Sequence, residues 1–171
     1  MSGLPRRLGV LMKTNYSNPP LTIVIDSREQ RPLVFPDNIQ TVRQKLLTAD
    51  YSALGIEHLF AVERKSIPDL VQSCTHQRER FEQELHRLRG FRFKRLLIVG
   101  SRQDLLDGKY FSRAKPQAIT ATLSAFEVRY DLPVVWVDTP AEGGRTVAVW
   151  AWWFAREIIK NATALNREGI K

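Results

Sequence analysis

An α/β fold with a central mixed β-sheet flanked by helices is predicted by two features of the chain's patterning. Short β-branched apolar runs, LTIVID at 21–26, RLLIVG at 95–100 and PVVWV at 133–137, have the length of buried strands. Between them lie longer segments with apolar residues at helical spacing, and this alternation marks helices packed on a sheet. No internal repeat, low-complexity tract or linker divides the 171 residues. One domain is therefore expected over 21–165.

Taken in order, residues 1–20 end in Asn18-Pro19-Pro20 and read as a flexible basic tail. Leu21 to Asp26 is the first strand, and the stretch holding Pro32 and Pro36 is loop. Thr41 to Ser52 fits helix or strand by pattern. Strand is favoured, because Val42, Thr48 and Tyr51 suit it and the turn residues Ala53 to Gly55 suit a hairpin. His58 to Lys65 alternates more clearly: Leu59, Ala61, Glu63 and Lys65 share one face, Phe60, Val62 and Arg64 the other. A helix follows at once, with Ser66 as N-cap, Asp69 three residues on in an acidic variant of the capping box, and Pro68 tolerated in the first turn. The next helix, Gln77 to Arg89, presents Phe81, Leu85 and Leu88 on one face and stops at Gly90.

Arg95 to Gly100 is again strand, and Gln117 to Tyr130 is helix with Ile119, Leu123, Phe126 and Tyr130 in register. Pro133 to Val137 is a short strand. A final helix over 144–165 carries Val147, Trp150, Phe154 and Ile158 on one stripe and Val149, Trp152 and Trp153 on a second, leaving 166–171 as a C-terminal tail. Two stripes exceed what one core face requires. A buried helix or a symmetric dimer interface would account for them.

With 26 Lys+Arg against 18 Asp+Glu the net charge is +8, which suits a polyanionic partner. The lone Cys74 cannot form an internal disulfide, and with only His58, His76 and His86 beside it the chain lacks the makings of a structural zinc site. A reducing cytoplasm fits that usage. The longest apolar stretch, Val147 to Ala155, falls short of the roughly 20 residues of a membrane span. The five apolar residues after Arg6-Arg7 fall short of the roughly 7 to 15 of a signal-peptide core.

Within this basic chain the acids gather at strand ends. Asp26 and Glu29 follow the first strand, Asp50 stands near the end of the second, and Glu63 lies on the third with Lys65 two residues on, on the same face. An Asp followed after an interval by Glu-x-Lys is the pattern that phosphodiester cleavage needs. Carboxylates hold Mg²⁺, or Mn²⁺, together with phosphate oxygens and water. The ion activates water and stabilises developing charge, and a neighbouring lysine helps to hold or deprotonate that water.

These residues resemble the XPF family of structure-selective DNA nucleases, which includes archaeal Hef and belongs to the restriction-endonuclease-like superfamily with its Asp…(Asp/Glu)-x-Lys site. The matching residues are Ile25-Asp26-Ser27-Arg28-Glu29, Asp50-Tyr51, and Val62-Glu63-Arg64-Lys65 with Asp69 beyond them. The likeness runs over about 21–160 and looks closest to short bacterial or phage members. It implies a restriction-endonuclease-like fold, metal ligands at Asp26, Asp50 and Glu63 with Glu29 nearby, and Lys65 as catalytic lysine. Arg64 matches the signature arginine and, from the opposite strand face, would pair with an acid or steady the site. Where the family has glycine before the acid matched by Asp50, this chain has Ala49.

The resemblance further implies DNA as partner, branched or partly single-stranded, in repair, recombination or replication, and association through the C-terminal region. Larger relatives carry a helix-hairpin-helix pair that the sequence to Lys171 does not show, and weaker DNA binding or a separate DNA-binding partner is the expectation. Arg28 would reach phosphate or pair with Glu29. Arg78 and Arg80 are the better DNA-contact candidates in the basic helix, though intrahelical ion pairs account for many of its charges. Asp69 and Ser66 are explained by helix capping. The rival to an endonuclease is a non-catalytic DNA-binding or scaffold subunit; a third reading, an RNA-binding protein, leaves the gathered acids unexplained.

Overall fold

A computed structural model describes residues 21–168, with side chains to residue 164. The tail expected over 1–20 lies outside the described residues. Six strands form one sheet in the order β2-β1-β3-β4-β5-β6. They are β1 (Thr22–Asp26), β2 (Gln40–Gln44), β3 (Tyr51–Ala53), β4 (Phe60–Ser66), β5 (Phe93–Val99) and β6 (Val134–Val137). β3 alone runs antiparallel to its neighbours; all other pairings are parallel. The carboxyl ends of β1 and β4 therefore share one edge of the sheet with the start of β3.

Among the described residues five helices cover both faces: α1 (Ile67–Cys74), α2 (Arg78–Leu88), α3 (Arg102–Leu106), α4 (Pro116–Tyr130) and α5 (Pro140–Glu168). On one face Leu70, Phe81, Leu85, Leu123 and Phe126 pack against Ala61, Leu96 and Ile98 of the sheet. On the other, Val147 and Ala151 of α5 and Leu33 of the loop after β1 pack against Tyr51, Phe60, Val62 and Leu97. The apolar spacing of α2 and α4 foretold these contacts. α1 starts as expected: Ser66 Oγ accepts from Asp69 N at 3.3 Å, and Pro68 lies in the first turn.

The structure corrects three expectations. Thr41 to Ser52 is not one strand: β2 pairs with the outer edge of β1, and β3 with its inner edge. The chain crosses between them over 45–50, where Leu46 is buried and Ala49 turns the backbone through a left-handed φ of 65°. The hairpin turn near Gly55 is present and joins β3 to β4. The last helix starts at Pro140, ahead of Gly144, and runs three residues into the expected tail. Finally, α3, capped by Ser101, has too few residues to show a periodic pattern.

The entry of α5 needs its glycine pair. A Cβ on Gly144 would stand 2.0 Å from the Val34 carbonyl oxygen, and one on Gly143 2.6 Å from Leu33 Cδ2. The loop after β1 is thus clamped against α5, and Val34 N donates to the Pro140 carbonyl at 3.1 Å. This fixes the loop that leaves the edge of the sheet where the acids gather.

Candidate active site

The antiparallel register of Tyr51 with Val62 sets Asp50 opposite Glu63 on adjacent strands. Asp50 N donates to the Val62 carbonyl at 3.1 Å, and Arg64 N donates to Asp50 Oδ2 at 2.8 Å. Lys65, two residues past Glu63 on the same strand face, sets Nζ 2.8 Å from Glu63 Oε1. It also lies 4.0 Å from Glu84 Oε2 and 4.8 Å from the centre of the Phe81 ring, both on α2. Asp50, Glu63 and Lys65 are brought together as the sequence indicates.

Electrostatically this group is short of positive charge. Burial pushes the Asp50 carboxyl well above its ordinary value, and the charge of Glu63 pushes it further. Glu63, 5% exposed, is also raised, first by burial and then by Glu84 and Glu29, with Lys65 opposing. For Lys65 burial works against the ammonium, but Glu63 and Glu84 outweigh it and the pKa is raised. Lys65 is therefore a firmly protonated donor in this state. A buried and a half-buried carboxylate facing one another with a single lysine are a poor arrangement for stability and a suitable one for a cation.

Asp26 is buried at the end of β1, but every bonding direction of its carboxylate is taken. Arg28 approaches as a fork, Nε to Oδ1 at 2.7 Å and Nη2 to Oδ2 at 2.9 Å. Arg28 N donates to Oδ1 and Leu46 N to Oδ2, each at 2.8 Å. The Arg28 side chain, followed by these amides, holds the Asp26 pKa down at about 2 despite burial. A carboxylate has about four lone-pair sites, so Asp26 in this arrangement has none left for a metal. Arg28 pairs with Asp26, not with Glu29 or an open phosphate site, and its Nη2 also donates to the Leu46 carbonyl at 3.0 Å. The pair ties the end of β1 to the segment that carries Asp50.

The other expected residues divide. Glu29 spends Oε1 on Arg31 N at 2.7 Å, yet its charge reaches both Asp50 and Glu63. Arg64 steadies Asp50 through its backbone amide; its side chain forms no ion pair among the described residues, and its Nε is buried without a hydrogen-bond partner. Arg78 pairs with Glu82 at 3.1 Å and lies over the Phe126 ring, while Arg80 is exposed. Asp69 caps α1, accepting from Ser66 Oγ at 2.5 Å. Glu84 is the residue that the sequence reading misses. It stands three residues after Phe81 and four before Leu88, a carboxylate inside an apolar stripe, and that position was the available signal.

The ERCC4 domain family matches residues 25–149, most of the chain and every residue of the site. The chain belongs to the ERCC4 domain family. Among solved structures it is similar to XPF from Aeropyrum pernix, at 19% identity and a TM-score of 0.62, covering 77% of this chain and 60% of that one. It is also similar to XPF from Aeropyrum pernix in complex with DNA, at 19% identity and a TM-score of 0.63, covering 80% of this chain and 66% of that one. No curated protein matches in sequence. This ERCC4 domain thus has the fold of the XPF nuclease domain and spans about 60% of the first of those chains.

Among the described residues no three or more His, Cys, Asp or Glu side chains gather closely enough to hold an ion alone. Asp50 and Glu63 nevertheless fit Mg²⁺, which commonly takes one or two carboxylates and fills its shell with water and substrate phosphate. Their raised pKa values are what a cation would relieve. Among the described residues no helix is long and apolar enough to cross a membrane.

Proposed function

We propose that this ERCC4 domain is a divalent-metal-dependent endonuclease that hydrolyses DNA phosphodiesters at branched, flap or fork structures. The carrying observation is the opposed pair Asp50 and Glu63, both with raised pKa values, with Lys65 Nζ 2.8 Å from Glu63. Mg²⁺ or Mn²⁺ held there would supply charge neutralisation at the scissile phosphate and a more acidic water. Asp50 and Glu63 would hold it, Glu29 would add negative field, and the Lys65 ammonium would orient the attacking water or steady charge on phosphate. Asp26 and Arg28 keep the Asp50 segment in place.

Support for DNA as substrate comes from the +8 charge and the fold shared with XPF. A homodimer through the C-terminal helix is part of this reading. Leu54, Ile56, Trp152 and Ile158 line a groove of about 360 Å³ between α5 and the β3–β4 hairpin, with Trp153 and Ile159 exposed on the same helix. A separate DNA-binding partner is also allowed for, and sedimentation with and without DNA reads the oligomeric state.

The deciding experiment is cleavage of end-labelled single strand, duplex, splayed arm, flap and four-way junction with Mg²⁺, Mn²⁺ or EDTA, in wild type and Asp50→Asn. Metal-dependent cuts near a branch, absent in the variant, are expected. Binding without cleavage of any substrate would instead make the chain a scaffold subunit.

A further inference from the structure

The loop between α3 and α4 holds a feature that the proposed nuclease site does not use. Phe111 is completely exposed, 109% relative to a reference chain, yet its loop is firmly built. Tyr110 OH donates to the Ala114 carbonyl at 2.7 Å, Ser112 N to the Tyr110 carbonyl at 3.1 Å, and Ala114 N to Ser112 Oγ at 3.2 Å. Tyr110 packs onto the core while its neighbour points away from it. Lys109 braces the base of the loop by pairing with Asp104 at 2.7 Å and Asp107 at 3.4 Å. A phenyl ring held in water on an ordered loop forgoes the burial such a side chain ordinarily gains, so it is poised for a partner.

Beside Phe111 a cleft of about 820 Å³ opens between this loop and α1, lined by Pro68, Thr75, His76, Tyr110 and Arg113 among others. Pro68 is in the first turn of α1, three residues after Lys65, so the cleft starts next to the proposed cutting site. The nearby cations are uncommitted: Arg113 and Lys115 form no ion pair among the described residues. An exposed aromatic ring, an open cleft of ligand size and free cations together match an unpaired nucleotide, whose base stacks on the ring while its phosphate meets the guanidinium. A purely apolar protein partner would leave Arg113 and Lys115 without a counterpart.

We propose that Phe111 and Arg113 form a stacking site for an unpaired base of single-stranded DNA, placing the single strand of a fork or flap beside α1. The inference deepens the nuclease reading and rests on it for the choice of DNA.

The test measures equilibrium binding without cleavage, using the full chain in EDTA. Fluorescent oligothymidine, a splayed arm and blunt duplex are titrated against wild type, Phe111→Ala, Phe111→Trp and Arg113→Ala. Phe111→Ala should weaken binding to oligothymidine and splayed arm about tenfold and leave blunt duplex unchanged, with Phe111→Trp retaining wild-type affinity. Arg113→Ala should weaken single-strand binding and flatten its salt dependence. Because the Phe111 ring is fully exposed, thermal unfolding should not change. Equal binding by Phe111→Ala and wild type overturns the stacking site, as does a change of oligomeric state in Phe111→Ala that accounts for the loss. Metal-dependent cleavage of the same splayed arm, lost in Asp50→Asn, is scored separately, so the stacking site can fail while the nuclease reading stands.

Discussion

Two acidic centres lie within a few residues of each other at one edge of the sheet, and they differ in every electrostatic respect. At the end of β1, Asp26 is buried with two backbone amides and an arginine fork on its oxygens, and its pKa falls to about 2. Across β3, the half-buried Asp50 faces the buried Glu63, with Lys65 as the lysine in contact, and their pKa values rise. The comparison teaches that burial does not by itself distinguish a functional carboxylate. Donor supply does. A saturated carboxylate holds the backbone, and an undersupplied one is available for a cation.

The largest effect should come from removing charge at the undersupplied centre. Asp50→Asn is expected to lower the cleavage rate at least about a thousandfold, measured by single-turnover cleavage of a splayed arm in Mg²⁺. The same variant should unfold no earlier than wild type, because it removes a repelled carboxylate. The pH dependence sharpens this. A folded pKa raised above the unfolded value puts a stability penalty on the chain at neutral pH, and that penalty lifts as pH falls through the raised value toward the ordinary carboxyl range. Asp50→Asn should lose that part of the gain on mild acidification. A Tm well below wild type would place Asp50 with Asp26 as a structural acid.

At the saturated centre the expectation reverses. Asp26→Ala strips the acceptor from Arg28 N and the buried Leu46 N and should cost about 3 kcal/mol, read by urea denaturation at neutral pH. Its contribution has the opposite pH sense: a depressed folded pKa gives stability that is complete above about 4 and lost as pH falls toward 2. The gap between Asp26→Ala and wild type should therefore narrow in that window, and a gap constant down to pH 2 would break the comparison.

Smaller effects test the scaffold on either side. Gly144→Ala drives a methyl group into the Val34 carbonyl and should destabilise by about 2 kcal/mol in the same urea measurement. Ala49→Gly should stabilise by about 0.5 kcal/mol, as relief of the φ of 65° exceeds the entropy and methyl burial lost. Calorimetry can resolve it, and a loss instead of a gain would show that the Ala49 methyl matters more than its backbone.

The sequence carried the strands β1, β4 and β5, the helices α2 and α4 and the cap at Ser66, because each is written in local periodicity or in a three-residue motif. It also carried Glu63 and Lys65, whose shared face follows from the twofold repeat of a strand. It could not divide Thr41 to Ser52 into a parallel edge strand and an antiparallel inner strand. That choice depends on which side of β1 each piece finds, a nonlocal matter settled by burying Leu46 and turning at Ala49. Glu84 was hidden for a similar reason: its meeting with Lys65 needs α2 laid across the end of β4.

By itself, then, the amino-acid order determined the element types, the placing of the acids at strand ends and the membership of a nuclease-domain family, all short-range properties of the chain. Only the tertiary structure decided which acids are alike. Asp26 and Asp50 are the same residue type at the same edge of one sheet. Leu46 and Arg28 close over the first and leave the second open, and donor supply of that kind exists only once the distant segments have been packed together.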